Sequence, residues 1–399
     1  MTFDIGWKRL LRDFVPYLDY CGGVDLNNDY KVEGAGEVAD LDGNGSVDES
    51  EAKEFCIVNR DALARFIPFL SYTQGFTADN PIHTLILHES QAMEYSDFEV
   101  DLMYRELGRL LEEMRREVEF ESDLVSTFPF LGENGEFSDF DRMSIVREVM
   151  IESGMTFGGA DQTLFTGHFF ARHFNCATGS YALKFFSHEL GRRVDLVLLR
   201  DHVIARSAGD SVNFDMRYDG ESHPDSYYAD RYTVSSFSEN MGVYLKSLND
   251  RELDSLFLMG LGSALDMIPD RLDDAAKAYV MSIGENVANV ISWGNLGAVM
   301  LRTGLVDESY QSFLKAVELD PNYAEAHIVL AIICVMKEER QEALQYLKTA
   351  LELDGPNPAV RRLYDRLDSL TDDEIRNAGH KFLADNIDLI EAIESAYVD

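Results

Sequence analysis

The spacing of apolar residues predicts helices in the middle of the chain. In residues 93–120, apolar side chains recur at steps of three and four, which is the period of an amphipathic helix. The same spacing returns in residues 177–191, directly after Cys176. We therefore expect one long helix up to about residue 120 and a second helix that begins at Cys176.

A strand-like pattern follows the second helix. Residues 192–200, 202–207 and 211–220 contain short apolar or alternating stretches, separated by Asp201 and by the tripeptide Ala-Gly-Asp. Short stretches of this kind, bounded by polar and turn residues, are typical of β-strands. The sequence predicts three consecutive strands, with His202 opening the second and Asp215 lying in the third.

The carboxy-terminal part of the chain repeats itself with a period of 34 residues. Two copies span residues 290–323 and 324–357, and a degenerate copy precedes them at 256–289. The first copy resembles the tetratricopeptide consensus at Trp293, Leu296, Gly297, Gly304, Phe313, Ala316, Leu319 and Pro321. This resemblance implies paired helices that stack into a solenoid, with small residues where two helices approach closely.

Two roles are open to so short a solenoid. It can present a concave surface on which a peptide docks, or it can serve as a helical buttress packed on a neighbouring domain. A further helical stretch, residues 359–395, is expected to cap the stack. Cys334 falls at an inward repeat position, where a thiol acts as a small apolar filler.

The charge of the chain narrows the classes of partner. Its 399 residues include 72 acidic and 35 basic side chains, for a formal net charge of −37. A field of this sign repels phosphate, so neither nucleic acids nor anionic membranes are expected partners. The acidity fits adaptation to high salt, and it also fits carboxylates that bind cations; composition does not separate these explanations.

Neither an export signal nor a membrane-spanning segment is visible in the sequence. No apolar run approaches the roughly 20 residues that cross a bilayer, and the first residues do not resemble a signal peptide. Cys21, Cys56, Cys176 and Cys334 match no zinc-binding spacing, and we expect reduced thiols, with a Cys21–Cys56 disulfide as the alternative. The prediction is a cytoplasmic protein.

Residues 40–51, Asp-Leu-Asp-Gly-Asn-Gly-Ser-Val-Asp-Glu-Ser-Glu, have the spacing of an EF-hand calcium loop. Gly45 stands where such a loop turns with a positive φ. Side-chain, carbonyl and water-mediated oxygen ligands are expected from Asp40, Asp42, Asn44, Ser46, Asp48 and Glu51. The spacing predicts Ca²⁺ as a cofactor, because calcium takes roughly six to eight hard oxygen ligands.

A partial second loop lies upstream of this one. Asp25, Asn27 and Asp29 repeat the opening of the calcium motif, but Tyr30 replaces the turn glycine and Gly36 stands where the closing glutamate belongs. These residues form either a weaker second calcium site or an acidic turn, and we favour the turn.

The order of the predicted elements after residue 175 points to nucleophilic chemistry. Cys176 opens a helix, where the backbone N–H groups lower the pKa of a thiol. His202, at the start of a strand, is a candidate base, and Asp215 on the next strand is a candidate group to orient its imidazole. The rival bases are His168 and His173, close upstream of the cysteine.

The motifs around these residues resemble the transglutaminase-like superfamily of papain-type cysteine enzymes. They read F-N-C-A-T-G-S-Y-A-L, H-E-L-G, V-x-L-V-x-L-R-D-H-V-x-A-R and N-F-D-M-R-Y-D-G, and they look most like the bacterial SirB1-like branch, which also places tetratricopeptide repeats after its core. The resemblance implies Cys176 as nucleophile, His202 as base and Asp215 as orienting acid. Asn175 or the backbone N–H of Cys176 is a candidate oxyanion donor.

The sequence thus predicts an α+β chain of three domains. A helical calcium-binding module spans residues 1–78, a papain/transglutaminase-like core with a cysteine-bearing helix on a small antiparallel sheet spans 79–250, and an all-α tetratricopeptide solenoid spans 251–399. The predicted function is hydrolysis or acyl transfer at peptide or protein amide bonds through a Cys176 thioester. The alternative is a non-catalytic calcium-binding scaffold that docks a protein partner through its repeats.

Overall fold

The computed structural model describes most of the chain from residue 76 onward. The described ranges are 76–77, 80–127, 138–157, 164–209, 211–216, 220, 222–268, 270–353 and 357–375. Both acidic loops, with residues 25–29 and 40–51, lie outside these ranges, so the calcium prediction stays a prediction. Cys21 and Cys56 also lie outside them.

The chain divides into two compact units, each of which is assembled from separate segments. The first contains residues 1–157, 164–194 and 207–221, and the second contains residues 158–163, 195–206 and 222–399. The three domain boundaries expected from the sequence stay a prediction.

Among the described residues, the first unit is built mainly from helices. In chain order they are α1 Ile82–Ala92, α2 Asp97–Thr127, α3 Asp139–Glu152, α4 Phe165–Ala171 and α5 Cys176–Glu189. The long helix expected before residue 120 is therefore present as α2, and the helix expected at Cys176 is present as α5. Short strands β1 (Thr156–Phe157) and β2 (His173–Phe174) pair in parallel, which the sequence pattern did not indicate.

The remaining strands follow α5 in the order that the sequence predicts. They are β3 (Val194–Leu199), β4 (His202–Ser207) and β5 (Asn213–Phe214), and β4 is the middle strand of this sheet. All six residues of β3, including Asp195, are buried, which is typical of a strand covered on both faces. The third strand is shorter than predicted, because only Asn213 and Phe214 pair regularly and Asp215 directly follows them.

The described part of the second unit is mainly helical as well. Its helices are α6 Asp225–Arg231, α7 Ser236–Asn240, α8 Asp250–Asp266, α9 Leu272–Glu285, α10 Val290–Arg302, α11 Val306–Leu319, α12 Ala324–Met336, α13 Arg340–Leu353 and α14 Pro358–Asp368. None of the helices in the described ranges combines the length and the apolar character that crossing a bilayer requires.

Three helical hairpins, α8–α9, α10–α11 and α12–α13, carry the predicted repeat. The helices α10 and α12 begin 34 residues apart, at Val290 and Ala324, and α11 and α13 keep the same spacing. At Gly297 a Cβ atom would lie 2.8 Å from the ring of Phe313, so only glycine allows this approach of α10 to α11. Gly262 makes the same kind of contact, at 2.7 Å, with Tyr279. The helical pairs expected from the sequence are confirmed.

Candidate functional site

Cys176 is the first residue of α5 and is held there by a reciprocal cap. The side-chain oxygen of Asn175 accepts a hydrogen bond from the backbone N–H of Thr178 at 2.9 Å, and the Thr178 hydroxyl accepts one from the N–H of Asn175 at 3.1 Å. The Cys176 residue is half-buried. Its position at a helix start agrees with the sequence prediction, and it is the position in which backbone N–H groups favour a thiolate.

Within the first unit, the chain next to Asp215 packs against the first turns of α5. A Cβ atom at Gly179 would lie 3.3 Å from Cβ of Met216 and 3.2 Å from the ring of Phe157, so the glycine permits a close approach. The Nε–H of Arg147 donates to the carbonyl oxygen of Met216 at 3.2 Å and fixes this segment. Asp215 itself is buried, with 1% of its surface exposed.

His202 belongs to the second unit, where it opens β4. Its ring stacks on the ring of Tyr232 at a centroid distance of 4.8 Å and an interplanar angle of 10°, and only 2% of its surface is exposed. Tyr232 follows α6 directly, in the aromatic segment between the strands and the repeats. The structure thus places each of the three predicted residues at the expected element or immediately beside it: Cys176 and Asp215 in the first unit and His202 in the second.

The two rival histidines differ in what the structure describes. His173 lies on β2, is exposed, and pairs through Nδ1 with the Thr156 hydroxyl at 2.7 Å. The side chain of His168 lies outside the described set. The Oδ1 atom of Asn175, next to the candidate nucleophile, accepts from both the N–H and the hydroxyl of Thr178, so this oxygen serves the helix cap.

The first unit also buries ionisable groups that the sequence interpretation did not single out. Both carboxylate oxygens of Glu189 accept from the N–H of Thr77, at 3.0 and 2.9 Å, and Oε1 accepts from Asn80 Nδ2 at 2.9 Å. Nearby, burial lowers the pKa of His83 to about 4, against the opposing charge of Glu189, and Nδ1 of His83 pairs with the Tyr104 hydroxyl at 2.9 Å. Glu189 therefore ties the residues before α1 to the end of α5.

Glu89 is a second buried carboxyl in this unit. Its oxygens accept from the backbone N–H groups of Phe165 at 2.9 Å and Thr166 at 2.7 Å, at the start of α4. Burial raises the pKa of Glu89 to about 7 despite these hydrogen bonds. Burial also raises the pKa of Tyr181, and the negative charges of Glu89 and Cys176 raise it further. A glutamate among the apolar residues of α1 is the signal that could have identified Glu89.

One group of potential metal ligands, Cys334, Glu339 and Glu342, lies close together within the described ranges. The thiol of Cys334 is buried with the apolar side chains of α12, α13 and α14, and burial raises its pKa to about 12. A thiol must lose its proton to bind a metal, so this one is a poor ligand at neutral pH. The prediction that Cys334 fills the core is confirmed.

A buried carboxylate, Asp320, is the polar centre of the second unit. It lies between α11 and α12, has 0% exposed surface, and accepts hydrogen bonds from Arg200 at 2.7 Å, Ser238 at 2.9 Å and Tyr244 at 3.2 Å. The backbone N–H of Asn322 also donates to it, at 3.2 Å. The sequence interpretation missed this residue, because its side-chain partners lie far from it along the chain.

Comparison with known proteins identifies the repeats. Residues 300–367 match the family model of the tetratricopeptide repeat. No curated protein is significantly similar to the chain.

Several solved structures are similar to the chain. The Arabidopsis OM64 TPR domain shares 21% identity over 30% of this chain and 97% of that one, with a TM-score of 0.28. The TPR2B domain of yeast Sti1, in a complex with pHsp70, shares 21% identity over 30% and 98%, with a TM-score of 0.27. The APC/C hetero-tetramer Cut9–Hcn1 shares 14% identity over 92% and 64%, with a TM-score of 0.31. The family match over residues 300–367 shows that the chain carries tetratricopeptide repeats in its carboxy-terminal part.

Proposed function

We propose that this protein binds a protein partner through its tetratricopeptide repeats. The observation that carries the proposal is the family match over residues 300–367, which runs from the end of α10 through α11, α12 and α13 into α14. Stacked repeats of this kind offer an extended surface whose side chains can change without disturbing the packing between hairpins. Docking of a partner is thus favoured over a purely supporting role.

The overall charge of the chain favours a basic segment in the partner. The chain carries a formal net charge of −37, and α11 begins with two exposed acidic residues. Of these, Asp307 has 84% of its side chain exposed and pairs with Lys337 Nζ at 3.0 Å, and Glu308 is its neighbour. Acidic side chains at the rim of a binding surface mainly speed association with a basic partner and make the affinity sensitive to salt.

The test is direct binding of a purified partner to the full chain. A candidate captured from cell extract would be purified and titrated by calorimetry at about 50 and about 300 mM salt, which spans strong and weak screening. We expect the affinity to fall with salt, and the double substitution Asp307→Lys with Glu308→Lys to weaken it roughly tenfold.

The control is a charge reversal at another site, Glu112→Lys on α2 of the first unit, a carboxylate with 69% exposure. This reversal is expected to leave the affinity unchanged. A partner that responds to Glu112→Lys and is indifferent to the substitutions on α11 would place binding on the first unit and end the proposal.

A second candidate function is acyl transfer at Cys176. It is favoured by the half-buried thiol at the first position of α5, the place where a nucleophilic cysteine is most easily ionised. In this proposal the thiolate attacks an amide carbonyl, and the amine leaves with a proton from the His202 imidazolium. Water or a second amine then opens the thioester. The grouping of Cys176 with His202 and Asp215 is inferred from the transglutaminase-like sequence motifs.

Calcium binding by residues 40–51 is part of either function. The support is the oxygen ligand at each expected position from Asp40 to Glu51. Calorimetric titration of the full chain should show Ca²⁺ binding that Glu51→Gln abolishes, and chelation should lower the melting temperature of the wild type. Asp25→Asn, in the partial loop, is the control and should leave the main binding event intact. A melting temperature that ignores chelator would contradict the proposal.

A further inference from the structure

The turn between β3 and β4 is tied to the repeats by one arginine. Arg200 stands in this turn, and its Nη2 donates to Oδ2 of Asp320 at 2.7 Å while its Nη1 donates to the carbonyl oxygen of Asn322 at 2.9 Å. Only 16% of the arginine side chain is exposed. A guanidinium that binds two acceptors at once fixes its own orientation as well as its position.

The other partners of Asp320 make this anchor rigid. Its Oδ1 accepts from the Ser238 hydroxyl and its Oδ2 accepts from the Tyr244 hydroxyl, in addition to the guanidinium. Such donors replace the water molecules that a fully buried carboxylate no longer contacts. Since both oxygens are engaged from different directions, the carboxylate cannot turn without losing hydrogen bonds, and the turn that it holds is fixed in place.

His202 lies two residues after Arg200, where β4 begins directly after this short turn. The intervening Asp201 has a φ of 59°, in the left-handed region, so the chain reverses tightly between the arginine and the histidine. The strand before the turn, β3, is held by two further hydrogen bonds. The N–H of Leu245 donates to the Leu198 carbonyl oxygen at 3.1 Å, and the N–H of Leu248 donates to the Leu196 carbonyl oxygen at 2.9 Å. The backbone of His202 therefore follows a turn that is held both by the contacts of Arg200 and by the hydrogen bonds to β3.

The side chain of His202 is held by its neighbours, as its backbone is. Tyr232 covers one face of the imidazole at a centroid distance of 4.8 Å, and His202 is almost fully buried. A base held by its neighbours in this way needs no reorganisation before it takes a proton, and small displacements of such a group are costly for the rate. The turn thus connects Arg200, which is bound to Asp320, with the residue that carries this imidazole.

We propose that Asp320, acting through Arg200, is a positioning residue for the imidazole of His202, so that the tetratricopeptide repeats help to hold the base of the cysteine site. The inference rests on acyl transfer at Cys176 as the proposed function. It assigns to the repeats a role in the chemistry besides the docking of a partner.

The experiment measures the rate at which iodoacetamide labels Cys176 in the full chain between about pH 5 and pH 9, a range that spans the titration of imidazole and thiol. Asp320→Asn removes the charge of the anchor, and Arg200→Lys keeps a cation but loses the two-point contact. We expect Asp320→Asn to lower the rate near pH 6 by roughly tenfold and to move the midpoint of the profile upward. Arg200→Lys should give a smaller change in the same direction.

The matched control is Asp225→Asn. Asp225 binds Arg206 at 2.5 Å, and Arg206 lies on β4 like His202 and also donates to the Leu245 carbonyl oxygen. This variant loses an arginine–carboxylate pair on the same hairpin, away from the turn, and its pH profile should match that of the wild type. Tyr244→Phe removes one hydroxyl donor from Asp320 without changing any charge, so it provides a milder variant where Asp320→Asn folds poorly.

A second readout follows the histidine itself. The aromatic ring of Tyr232 shifts the proton resonances of the stacked His202 imidazole. In a full chain with labelled histidine, these resonances therefore report the position of the imidazole relative to Tyr232. Asp320→Asn and Tyr244→Phe should change them, and Asp225→Asn should not. Unchanged resonances together with an unchanged pH midpoint, even in a less stable variant, would overturn the positioning role.

The failure of the underlying function has a different signature. If Cys176 of the wild type is labelled only as an ordinary thiol is, with a midpoint near about 8.5, the acyl-transfer proposal fails, and the catalytic positioning role fails with it. A wild type with a low midpoint that Asp320→Asn, Arg200→Lys and Tyr244→Phe all leave unchanged would retain the acyl-transfer function and exclude the role of Asp320.

Discussion

Replacing His202 with alanine is expected to lower the rate at which iodoacetamide labels Cys176 by roughly tenfold near pH 6. In the proposed pair, the imidazolium stabilises the thiolate, which is the form that reacts. Without the imidazolium, the pKa of the thiol should be about 8.5. The thiolate fraction near pH 6 therefore falls by a larger factor than the labelling rate does. The higher intrinsic reactivity of a more basic thiolate offsets part of the loss. Mass spectrometry of the Cys176 peptide separates this labelling from that of Cys334.

The control for this prediction is His173→Ala. His173 is close to Cys176 along the chain but is exposed and pairs with the Thr156 hydroxyl, so its removal should leave the labelling profile unchanged. Equal profiles for the wild type and His202→Ala would exclude the pair. A loss in His173→Ala alone would move the role of base to that residue.

Local patterns in the sequence were enough to predict the elements that carry the candidate residues. A helix start at Cys176 follows from the change to apolar spacing after Asn175, and the strands follow from short apolar stretches separated by turn residues. The repeats were predictable for the same reason, because a period of 34 residues fixes the helices of each hairpin, and Gly297 marks the close contact between two of them. These signals lie within short stretches of the chain.

The buried polar centres were not predictable in this way. Asp320 and its partner Arg200 are 120 residues apart, and Glu189 and its partner Thr77 are 112 residues apart. An isolated acidic residue in a sequence of this charge is expected to be solvated, and only the folded chain shows which of the many carboxylates is buried with donors around it. The residue proposed to position His202 thus became visible only when distant segments were brought together.

Replacing Asp254 with asparagine is expected to stabilise the protein at pH 8 by about 2–4 kcal/mol. Asp254 is half-buried on α8, and burial, together with the negative charges of Glu285 and Asp250, raises its pKa from the usual 3.8 to about 7. The folded state therefore binds the proton more tightly than the unfolded state does. The free energy of unfolding of the wild type therefore falls as the pH rises from about 4 through about 7. Above that range, the full destabilisation by the ionised Asp254 is present.

Asparagine carries no charge at any pH, so the benefit of the substitution should follow the titration of the aspartate. Urea unfolding of the full chain should show the largest gain for Asp254→Asn at pH 8, a smaller gain at pH 5, and almost none near pH 3, where both states of the wild type are protonated. Asp365→Asn, at an exposed position on α14, removes the same charge and should change stability by less than about 0.5 kcal/mol. A gain at Asp254 that does not depend on pH would mean that asparagine acts through packing, and that the carboxylate is already well solvated in the folded chain.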